Sequence, residues 1–451
     1  MLIIKIKVDF QKKMGKMDHF WESTGFTPAE LLLRSDMEQT IKYFGSVANR
    51  GLKHVRIHYL LRLVKLVKKN PFEWDWSQLD QGLDLLVENN LKPFFELMGN
   101  PAPDYFNNFS DEEQLIQWKN FIREMVLHYI NRYGLKEVRS WYFETTNEPD
   151  VGWDWGWGGN VKNFCNYYDA CSEGLKEADP QLIFGGPGTC QTLSPIFKGL
   201  IQHCDQGTNF FTGEKGVRLD FISVHEKGVK AHKEDLNPDS RGIKEREIKI
   251  LKYIKNNHSR FKKTPFMNNE CDPQVGWADI HTWRAKPYYA AIAAKIINQH
   301  LVDLKQVGVN YRLLSNDNGF IGTWGNRTLL CRFGNDDKVK KGKFSLIKKP
   351  IFNLMTMLSL LGDTSCSVEK QEESDEIGVL ATITGKDQVA ALIYNSKDQI
   401  MNCGKSLVKL NLKGIPFSKG MVVHYRIDKE NSNPYSYWED SGAQTFQQPT
   451  N

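Results

Sequence analysis

The chain has 451 residues, of which 40% are hydrophobic and 25% charged, and a formal net charge of +5. This composition excludes a disordered chain, and the length predicts a large domain plus a second one. Basic and acidic residues are interspersed, which argues against nucleic-acid binding. No run of about 18 apolar residues occurs, so we expect no membrane-spanning helix.

The chain begins with an alternation of apolar residues and lysines that is typical of a strand, Met1-Leu2-Ile3-Ile4-Lys5-Ile6-Lys7-Val8. Its apolar stretch is too short for a signal peptide, and no small-residue cleavage site follows. Two explanations stay open: a cytosolic protein, or a chain that lacks its natural beginning. The eight cysteines have no Cys-x-x-Cys spacing, so mostly free, buried thiols are expected.

Strand-like and helix-like segments alternate from residue 19 to about residue 362. The apolar, β-prone segments predict strands at His19–Phe26, His54–Tyr59, Lys92–Leu97, Arg139–Thr145, Leu182–Pro187, Phe221–His225, Thr264–Glu270 and Tyr311–Asn316. Eight strands, each followed by a helix, indicate a (β/α)8 barrel. A doubly wound open sheet is the competing fold, but no Gly-x-Gly-x-x-Gly motif follows a first strand.

The pattern changes after a helix predicted at Pro350–Leu361. Short strand-like runs follow at Ile377–Ile383, Gln388–Tyr394, Ser406–Leu412 and Met421–Ile427. Their spacing predicts an attached antiparallel β-sandwich, to which the alternation at residues 4–8 would add a strand. The expected domains are a barrel at residues 16–362 and a sandwich built from residues 1–15 and 363–451.

Two glutamates follow predicted barrel strands. Glu148 comes after the fourth strand, within Asn147-Glu148-Pro149, and Glu270 ends the seventh. The carboxyl ends of barrel strands meet at one mouth, where barrel enzymes carry out their chemistry. Cleavage of a sugar acetal needs such a pair, and in retaining enzymes the two carboxyl groups lie roughly 5–5.5 Å apart. A helix cap or a surface ion pair is the alternative for Glu148, and the second strand-end glutamate disfavours it.

The chain resembles glycoside hydrolase family 39, and within it the iduronidases. The runs that carry the resemblance occur in the same order through most of the chain: Phe20-Trp21-Glu22-Ser23-Thr24-Gly25-Phe26, Phe95-Glu96-Leu97-Met98-Gly99, Asn166-Tyr167-Tyr168-Asp169-Ala170-Cys171-Ser172-Glu173-Gly174-Leu175, Gly207-Thr208-Asn209-Phe210-Phe211-Thr212-Gly213-Glu214 and Leu313-Leu314-Ser315-Asn316-Asp317-Asn318. By this match Glu148 is the general acid/base and Glu270 the nucleophile. The family also continues into a completed sandwich and a fibronectin-like domain, so we expect this chain to stop within the sandwich.

The resemblance implies a site for the ring carboxylate of a uronic acid. Lys227 would bind that carboxylate, together with the backbone N–H groups of Gly276 and Trp277. Burying such an anion is costly unless a cation or several N–H donors meet it. Without the resemblance, a solvated loop charge is an equally good interpretation of Lys227.

The resemblance also implies partners for the sugar hydroxyls. His58 and Asn147 would hydrogen-bond ring hydroxyls, and Asp317 and Arg327 would fix a neighbouring hydroxyl. On residue type alone, His58 is more often a satisfied core histidine, and Arg327 is equally well a solvated loop charge.

The function implied is that of a retaining glycosidase that removes terminal α-L-iduronic acid from dermatan sulfate and heparan sulfate. It needs no cofactor and no metal, and its partner is a glycosaminoglycan oligosaccharide. The resemblance implies a lysosomal location, and sequons allow N-glycans at Asn108, Asn257 and Asn326. A β-xylosidase of the same family and a catalytically inactive, truncated glycan-binding homologue are the alternatives.

A pH dependence follows from the two carboxyl groups. An ionised Glu270 near Glu148 should raise the pKa of the acid by like-charge repulsion. We therefore expect a bell-shaped pH profile with an acidic optimum.

Overall fold

A computed structural model of the protein describes residues 2–26, 28–151, 160–231, 236–276, 279–304, 308–316, 322–334, 336–371, 375–400 and 405–442. Its strands are β1 (Leu2–Lys16), β2 (Ser23–Phe26), β3 (His54–Ile57), β4 (Lys65–Lys69), β5 (Phe72–Asp75), β6 (Lys92–Glu96), β7 (Tyr142–Glu144), β8 (Ile183–Thr189), β9 (Ile222–Val224), β10 (Phe266–Asn268), β11 (Tyr311–Leu314), β12 (Leu330–Phe333), β13 (Ser345–Lys348), β14 (Thr364–Lys370), β15 (Ile377–Thr384), β16 (Gln388–Asn395) and β17 (Ser406–Lys413).

Its α-helices are α1 (Ser35–Gly45), α2 (Ser77–Glu88), α3 (Glu112–Tyr133), α4 (Leu135–Val138), α5 (Val161–Ala178), α6 (Pro195–Gln206), α7 (Arg241–Asn257), α8 (Pro287–Gln299), α9 (Asp336–Lys340), α10 (Pro350–Leu358) and α11 (Pro434–Asp440). Short 3-10 helices lie at Ala29–Leu33, Ala48–Arg50, Leu60–Leu63, Ser259–Phe261 and Thr282–Ala285, and a π-helical turn lies at His300–Leu304.

The barrel consists of parallel strands in the order β2-β3-β6-β7-β8-β9-β10-β11. All eight predicted strands are confirmed. Each lies inside its predicted segment, except that β8 continues to Thr189. The first and last strands meet where the Leu314 N–H donates to the Phe20 carbonyl at 2.8 Å. The predicted (β/α)8 barrel is therefore confirmed.

Strand alternation explains how polar groups reach the barrel mouth. Phe94, Tyr142, Phe221, Met267 and Leu313 fill the interior as one buried apolar cluster. Side chains two residues apart on a strand share a face. The residues two positions after the interior ones on β6 and β7 therefore also point inward, one level nearer the mouth, and both are glutamates.

Helix α3 shows how the outer layer forms. Its apolar residues recur every three or four positions, and Trp118, Phe121 and Met125 are buried against the core. The Asp111 carboxylate caps the helix by accepting from the Gln114 N–H at 2.9 Å. Gly134, with φ of 86°, ends it. The helix packs on α5.

A second sheet has the strand order β16-β15-β14-β1-β17. The strand predicted at the beginning of the chain is confirmed and pairs with β14 in antiparallel and with β17 in parallel orientation. The strand predicted at Met421–Ile427 is wrong. That segment has no strand partner in the described ranges, and Met421 and Val422 are 88% and 93% exposed, so their apolar side chains cover no sheet.

Two further predictions concern the cysteines and membrane-spanning helices. The seven cysteines within the described ranges are free, and all except Cys190 are buried, as expected. No helix among the described residues has both the length and the apolar composition needed to cross a bilayer.

Candidate active site

Arg56 occupies the centre of the barrel mouth. Its side chain on β3 is fully buried and donates to Glu144 Oε2 at 2.9 Å and to Glu270 Oε1 at 2.8 Å. It also forms an ion pair with Glu96 on β6. A buried guanidinium is stable only when carboxylates surround it, and its planar fork suits several at once. Arg56 therefore joins the ends of β3, β6 and β7 to the segment after β10.

Glu148 and Glu270 come together beside this arginine. Lys227 Nζ lies 2.5 Å from Glu270 Oε2 and 3.7 Å from Glu148 Oε1. One oxygen of each carboxylate and one nitrogen of His225 all lie within 4.8 Å of one another. This separation agrees with the short spacing of retaining glycosidases, roughly 5–5.5 Å, and is well below the roughly 6.5–9.5 Å of inverting ones.

His225 is oriented by its two neighbours. Its Nε2 lies 3.0 Å from Arg56 Nη2, and a guanidinium has no acceptor, so Nε2 must accept. The ring proton is then on Nδ1, which lies 2.9 Å from Glu148 Oε1 and donates to it. Arg56 thus selects the histidine tautomer that holds Glu148 in place.

The backbone at Glu148 is in an uncommon conformation. Glu148 has φ of 41°, in the left-handed region that costs a non-glycine residue on the order of 1–3 kcal/mol. Its N–H donates to the Gly188 carbonyl on β8 at 3.1 Å, which extends the ladder beyond β7. The strained turn lies where the chain leaves the strand and aims the carboxylate over the mouth.

The two glutamates differ in electrostatic surroundings. Burial alone would raise the pKa of the Glu270 carboxyl. The electrostatic attraction of His225, Lys227 and Arg56 outweighs burial and holds that pKa well below its usual range. Glu270 is therefore ionised, as a nucleophile must be.

The expected rise in the pKa of Glu148 is wrong. Burial and the charge of Glu270 do act to raise it, but the Lys227 ammonium and the His225 hydrogen bond outweigh both, and the pKa lies below the usual value. The expectation rested on the charge of Glu270 alone, whereas the Lys227 ammonium lies between the two carboxylates.

Two more predicted site residues lie in the same centre. His58 Nδ1 is 2.6 Å from Glu96 Oε2, and its Nε2 is 3.5 Å from Glu270 Oε1. Burial would lower the pKa of His58, but the Glu96 carboxylate outweighs burial and raises it. Asn147 Oδ1 accepts from Arg56 Nη2 at 2.9 Å, which leaves its amide N–H groups as donors.

Arg327 is buried and not a solvated loop charge. Its side chain is 1% exposed, and Nη1 lies 2.7 Å from Oδ2 of Asp272, two residues after Glu270. The loop that carries it is held by the buried Lys349 ammonium, which donates to the Asn326 carbonyl at 2.7 Å. The loop that contains Arg327 is therefore connected to the segment that contains Glu270.

Gly276 needs the backbone freedom of glycine. Its φ is 90°, and a Cβ there would lie 1.9 Å from Asp279 Oδ2. Its carbonyl accepts from Arg284 Nη1 at 2.6 Å. Trp277 and Asp317, the remaining predicted site residues, lie outside the described residues.

Sequence reasoning missed four central residues: Arg56, Glu96, Glu144 and His225. All four are buried charged or polar side chains within or next to predicted strands. Burying a charge without a partner is so costly that such residues indicate a paired network. Charged residues within apolar strands are visible in the sequence, but which of them pair with one another is set by the closure of the barrel.

Among the described residues, two clusters have side chains of the types that bind metals. In the first, Glu270 accepts hydrogen bonds from Lys227 and Arg56, and Lys227 Nζ also lies 3.7 Å from Glu148, so an ammonium occupies the place a cation would take. The other cluster lies inside the fold. There Glu247 Oε2 is 3.0 Å from His300 Nε2, and burial raises the pKa of the neighbouring Cys271 thiol far above its usual value, which disfavours the thiolate that a metal needs.

Comparisons with known proteins agree with this geometry. The sequence profile of glycosyl hydrolases family 39 matches residues 4–450. The chain is 37% identical to α-L-iduronidase of Mus musculus over 98% of this chain and 73% of that protein. It is also 37% identical to α-L-iduronidase of Homo sapiens over 98% of this chain and 71% of that protein.

A solved structure gives the same result for the fold. The bacterial orthologue of human α-L-iduronidase superimposes with a TM-score of 0.90 at 41% identity, covering 97% of this chain and 73% of that one. The resemblance found in the sequence is thereby confirmed, and the protein belongs to glycosyl hydrolases family 39.

Proposed function

We propose that this protein is a retaining glycosidase that removes a terminal α-L-iduronic acid. The observation that carries the proposal is the position of Lys227, a buried ammonium between the two catalytic glutamates. A neutral sugar would leave that cation without an anionic partner on the substrate, whereas a uronate supplies one.

The reaction would proceed in two displacements. Ionised Glu270 attacks the anomeric carbon, and Glu148 protonates the departing oxygen, which gives a glycosyl-enzyme on Glu270. Glu148, now ionised, then takes a proton from water, which attacks the same carbon and releases Glu270. Arg56 and His58 would hold the Glu270 carboxylate in line throughout, since both contact its Oε1.

The other predicted site residues have proposed roles on the sugar. We place the ring carboxylate on Lys227 and the backbone N–H groups of Gly276 and Trp277. The sugar hydroxyls would bind Asn147, whose Oδ1 accepts from Arg56, and the other predicted hydroxyl partners, His58, Asp317 and Arg327.

The wider context is also a proposal. A carbohydrate is the substrate that membership of the family implies. Dermatan sulfate and heparan sulfate as its source, a lysosomal location and N-glycans at Asn108, Asn257 and Asn326 are supported by the resemblance and the sequons alone.

Lys227→Ala tests the carboxylate assignment. We expect kcat/KM for an aryl α-L-iduronide to fall by at least about 100-fold, because the substrate carboxylate would be buried without its cation. The matching aryl α-L-idoside, with a hydroxymethyl group in place of the carboxylate, should lose much less. Steady-state kinetics on both substrates give the ratio.

The idoside controls for the contact between Lys227 and Glu270, which both reactions share. Equal losses on iduronide and idoside would contradict the carboxylate assignment. Preferential turnover of an aryl β-xyloside by the unaltered protein would favour the xylosidase alternative, and glycan binding without turnover would favour the inactive homologue.

A second prediction concerns pH. The alkaline limb of kcat/KM reports the acid in the free enzyme, and that of kcat reports it in the complex. In the free protein Lys227 holds the pKa of Glu148 below its usual value. Glu148 therefore loses its proton at a lower pH than an ordinary glutamate, and kcat/KM decreases from that pH upward. A bound uronate draws the lysine to itself, so the pKa of Glu148 should rise.

The alkaline limb of kcat for an iduronide should therefore lie at higher pH than that of kcat/KM. Profiles measured on the idoside serve as the control and should show a smaller displacement, since that sugar carries no anion. Coincident limbs on the iduronide would disprove the coupling between Lys227 and Glu148.

A further inference from the structure

The loop after β9 carries Lys227 into the barrel mouth, and its backbone is held on both sides of that residue. The Glu226 carbonyl accepts from Asn268 Nδ2 at 2.8 Å. The Gly228 N–H donates to the Asp272 carbonyl at 2.7 Å. These contacts hold the two planar peptide groups that flank the Lys227 Cα. The orientation of those two groups determines the direction in which the Lys227 side chain leaves the backbone.

A side chain on helix α7 makes a further contact with the same peptide group. Arg246 donates through Nη2 to the Lys227 carbonyl, which belongs to the peptide group of the Gly228 N–H. The same nitrogen donates to the Gly228 carbonyl at 2.7 Å. Arg246 Nε lies 3.0 Å from Glu226 Oε2. One guanidinium therefore spans three consecutive residues through two of its nitrogens.

The Glu226 carboxylate joins this loop to the loop after β8. Its Oε1 accepts from Thr192 Oγ1 at 2.7 Å, and its Oε2 lies 2.7 Å from Lys230 Nζ. Lys230 also donates to the Cys190 carbonyl at 2.6 Å. Glu226 therefore keeps a cation and a hydroxyl donor when Arg246 is replaced, so we expect the loop to remain folded without the arginine.

The position of the Lys227 ammonium is narrowly defined. Its Nζ lies 2.5 Å from Glu270 Oε2 and 3.7 Å from Glu148 Oε1, at the end of a long and flexible side chain. A change in the direction of the Cα–Cβ bond would displace the ammonium at the far end of that side chain. A misplacement of about 1 Å can cost on the order of 100-fold in rate.

We propose that Arg246 is a positioning residue that sets the preference of this enzyme for a uronic acid over a neutral sugar. Its hydrogen bonds within the described part of the chain go to residues 226–228, and it acts on the sugar through Lys227. The inference rests on the proposed function, because it concerns how the Lys227 ammonium meets the ring carboxylate.

The test is a double-mutant cycle of Arg246→Met and Lys227→Ala. Steady-state kinetics give, for each protein, the ratio of kcat/KM on an aryl α-L-iduronide to kcat/KM on the aryl α-L-idoside. Arg246→Met should lower this ratio by roughly tenfold, because a displaced ammonium contacts the substrate carboxylate less well. In the Lys227→Ala background the same substitution should change the ratio by less than about twofold, because the lysine that Arg246 positions is absent.

Two further variants separate positioning from general support of the fold. Arg246→Lys keeps the cation but offers a single nitrogen, so its ratio should lie between those of the unaltered protein and Arg246→Met. It also supplies the measurement if thermal unfolding shows that Arg246→Met does not fold. Arg241→Met is the matched control, because Arg241 lies on the same helix and pairs with Asp375. Its ratio should equal that of the unaltered protein.

Equal losses of kcat/KM on the two sugars in Arg246→Met would overturn the positioning role, because they would reflect general support of the fold. A tenfold fall in the ratio that persists in the Lys227→Ala background, or the same fall in Arg241→Met, would also overturn it. The unaltered protein decides the proposed function separately. If it does not prefer the iduronide to the idoside, the proposed function fails and the inference fails with it. A clear preference that Arg246→Met retains refutes the positioning role alone.

Discussion

Glu270→Gln should lower kcat for an aryl α-L-iduronide by at least about 10⁴-fold, the scale of loss when one member of a catalytic unit is removed. Glutamine keeps the shape of the side chain and removes the negative charge that attacks the anomeric carbon. The single amide oxygen can accept from either Arg56 or Lys227, and the other donor keeps a further carboxylate partner, Glu144 for Arg56 or Glu148 for Lys227, so the protein should remain folded. Single-turnover kinetics with a thermal unfolding curve measure both.

Glu173→Gln is a useful control, because Glu173 lies on α5 away from the barrel mouth and accepts from Asn209 Nδ2 at 3.0 Å. We expect its turnover to stay close to that of the unaltered protein. A Glu270→Gln protein that keeps more than a few per cent of the original kcat would contradict a nucleophilic role.

Arg56→Met should lower the free energy of unfolding by about 3–5 kcal/mol at neutral pH, the cost of removing one partner from a buried ion pair. The substitution leaves Glu96, Glu144 and Glu270 without the cation that they share. Activity should be lost as well, since the nucleophile loses a hydrogen-bond donor. Chemical denaturation followed by fluorescence measures the stability.

The matched control is Arg241→Met. Arg241 forms a 3.1 Å ion pair with Asp375, but its side chain is 64% exposed. Exposed pairs contribute only about 0–1 kcal/mol, so this variant should unfold nearly like the unaltered protein. A similar decrease in the free energy of unfolding for Arg56→Met and Arg241→Met would mean that burial of the ion pair does not determine the loss of stability.

The destabilisation by Arg56→Met should depend on pH. The pKa of Glu270 is depressed in the folded protein, so its ionisation contributes stability above the unfolded pKa of about 4.3, and this contribution is lost as the pH falls through the folded pKa. Removing Arg56 removes part of that contribution. The stability difference between variant and unaltered protein should therefore shrink on acidification, and a difference that grows would contradict the sign.

The barrel could be predicted from the sequence because its strands are buried on both faces and therefore appear as runs of apolar residues. The strand predicted at Met421–Ile427 shows where this argument fails. Met421, Val422 and Val423 have strand propensity, but propensity expresses packing on a sheet, and these three side chains are exposed to solvent. The strand at Thr364–Lys370 was not predicted, because its residues are mostly polar and it is held mainly by pairing with β1.

The candidate site was predictable as far as strand ends could be located. Glu148 and Glu270 follow from that rule. The roles of Arg56 and Glu144 depend instead on which side chains of β3 and β7 point into the closed barrel. The direction of the pKa shift of Glu148 could not be predicted from the sequence either, because it depends on a buried Lys227 that lies 3.7 Å away. Distances between side chains from separate strands are set by the closed barrel.

The central claim is that Glu270 forms a covalent bond to the sugar while Glu148 lies within 4.8 Å of it. Incubating the protein with 5-fluoro-α-L-iduronyl fluoride, followed by peptide mass spectrometry, tests this directly because the fluorinated intermediate hydrolyses slowly. The account predicts one fluoroiduronyl adduct, on the peptide that contains Glu270. An adduct on any other residue, or hydrolysis of an aryl iduronide with inversion at the anomeric carbon, would contradict it.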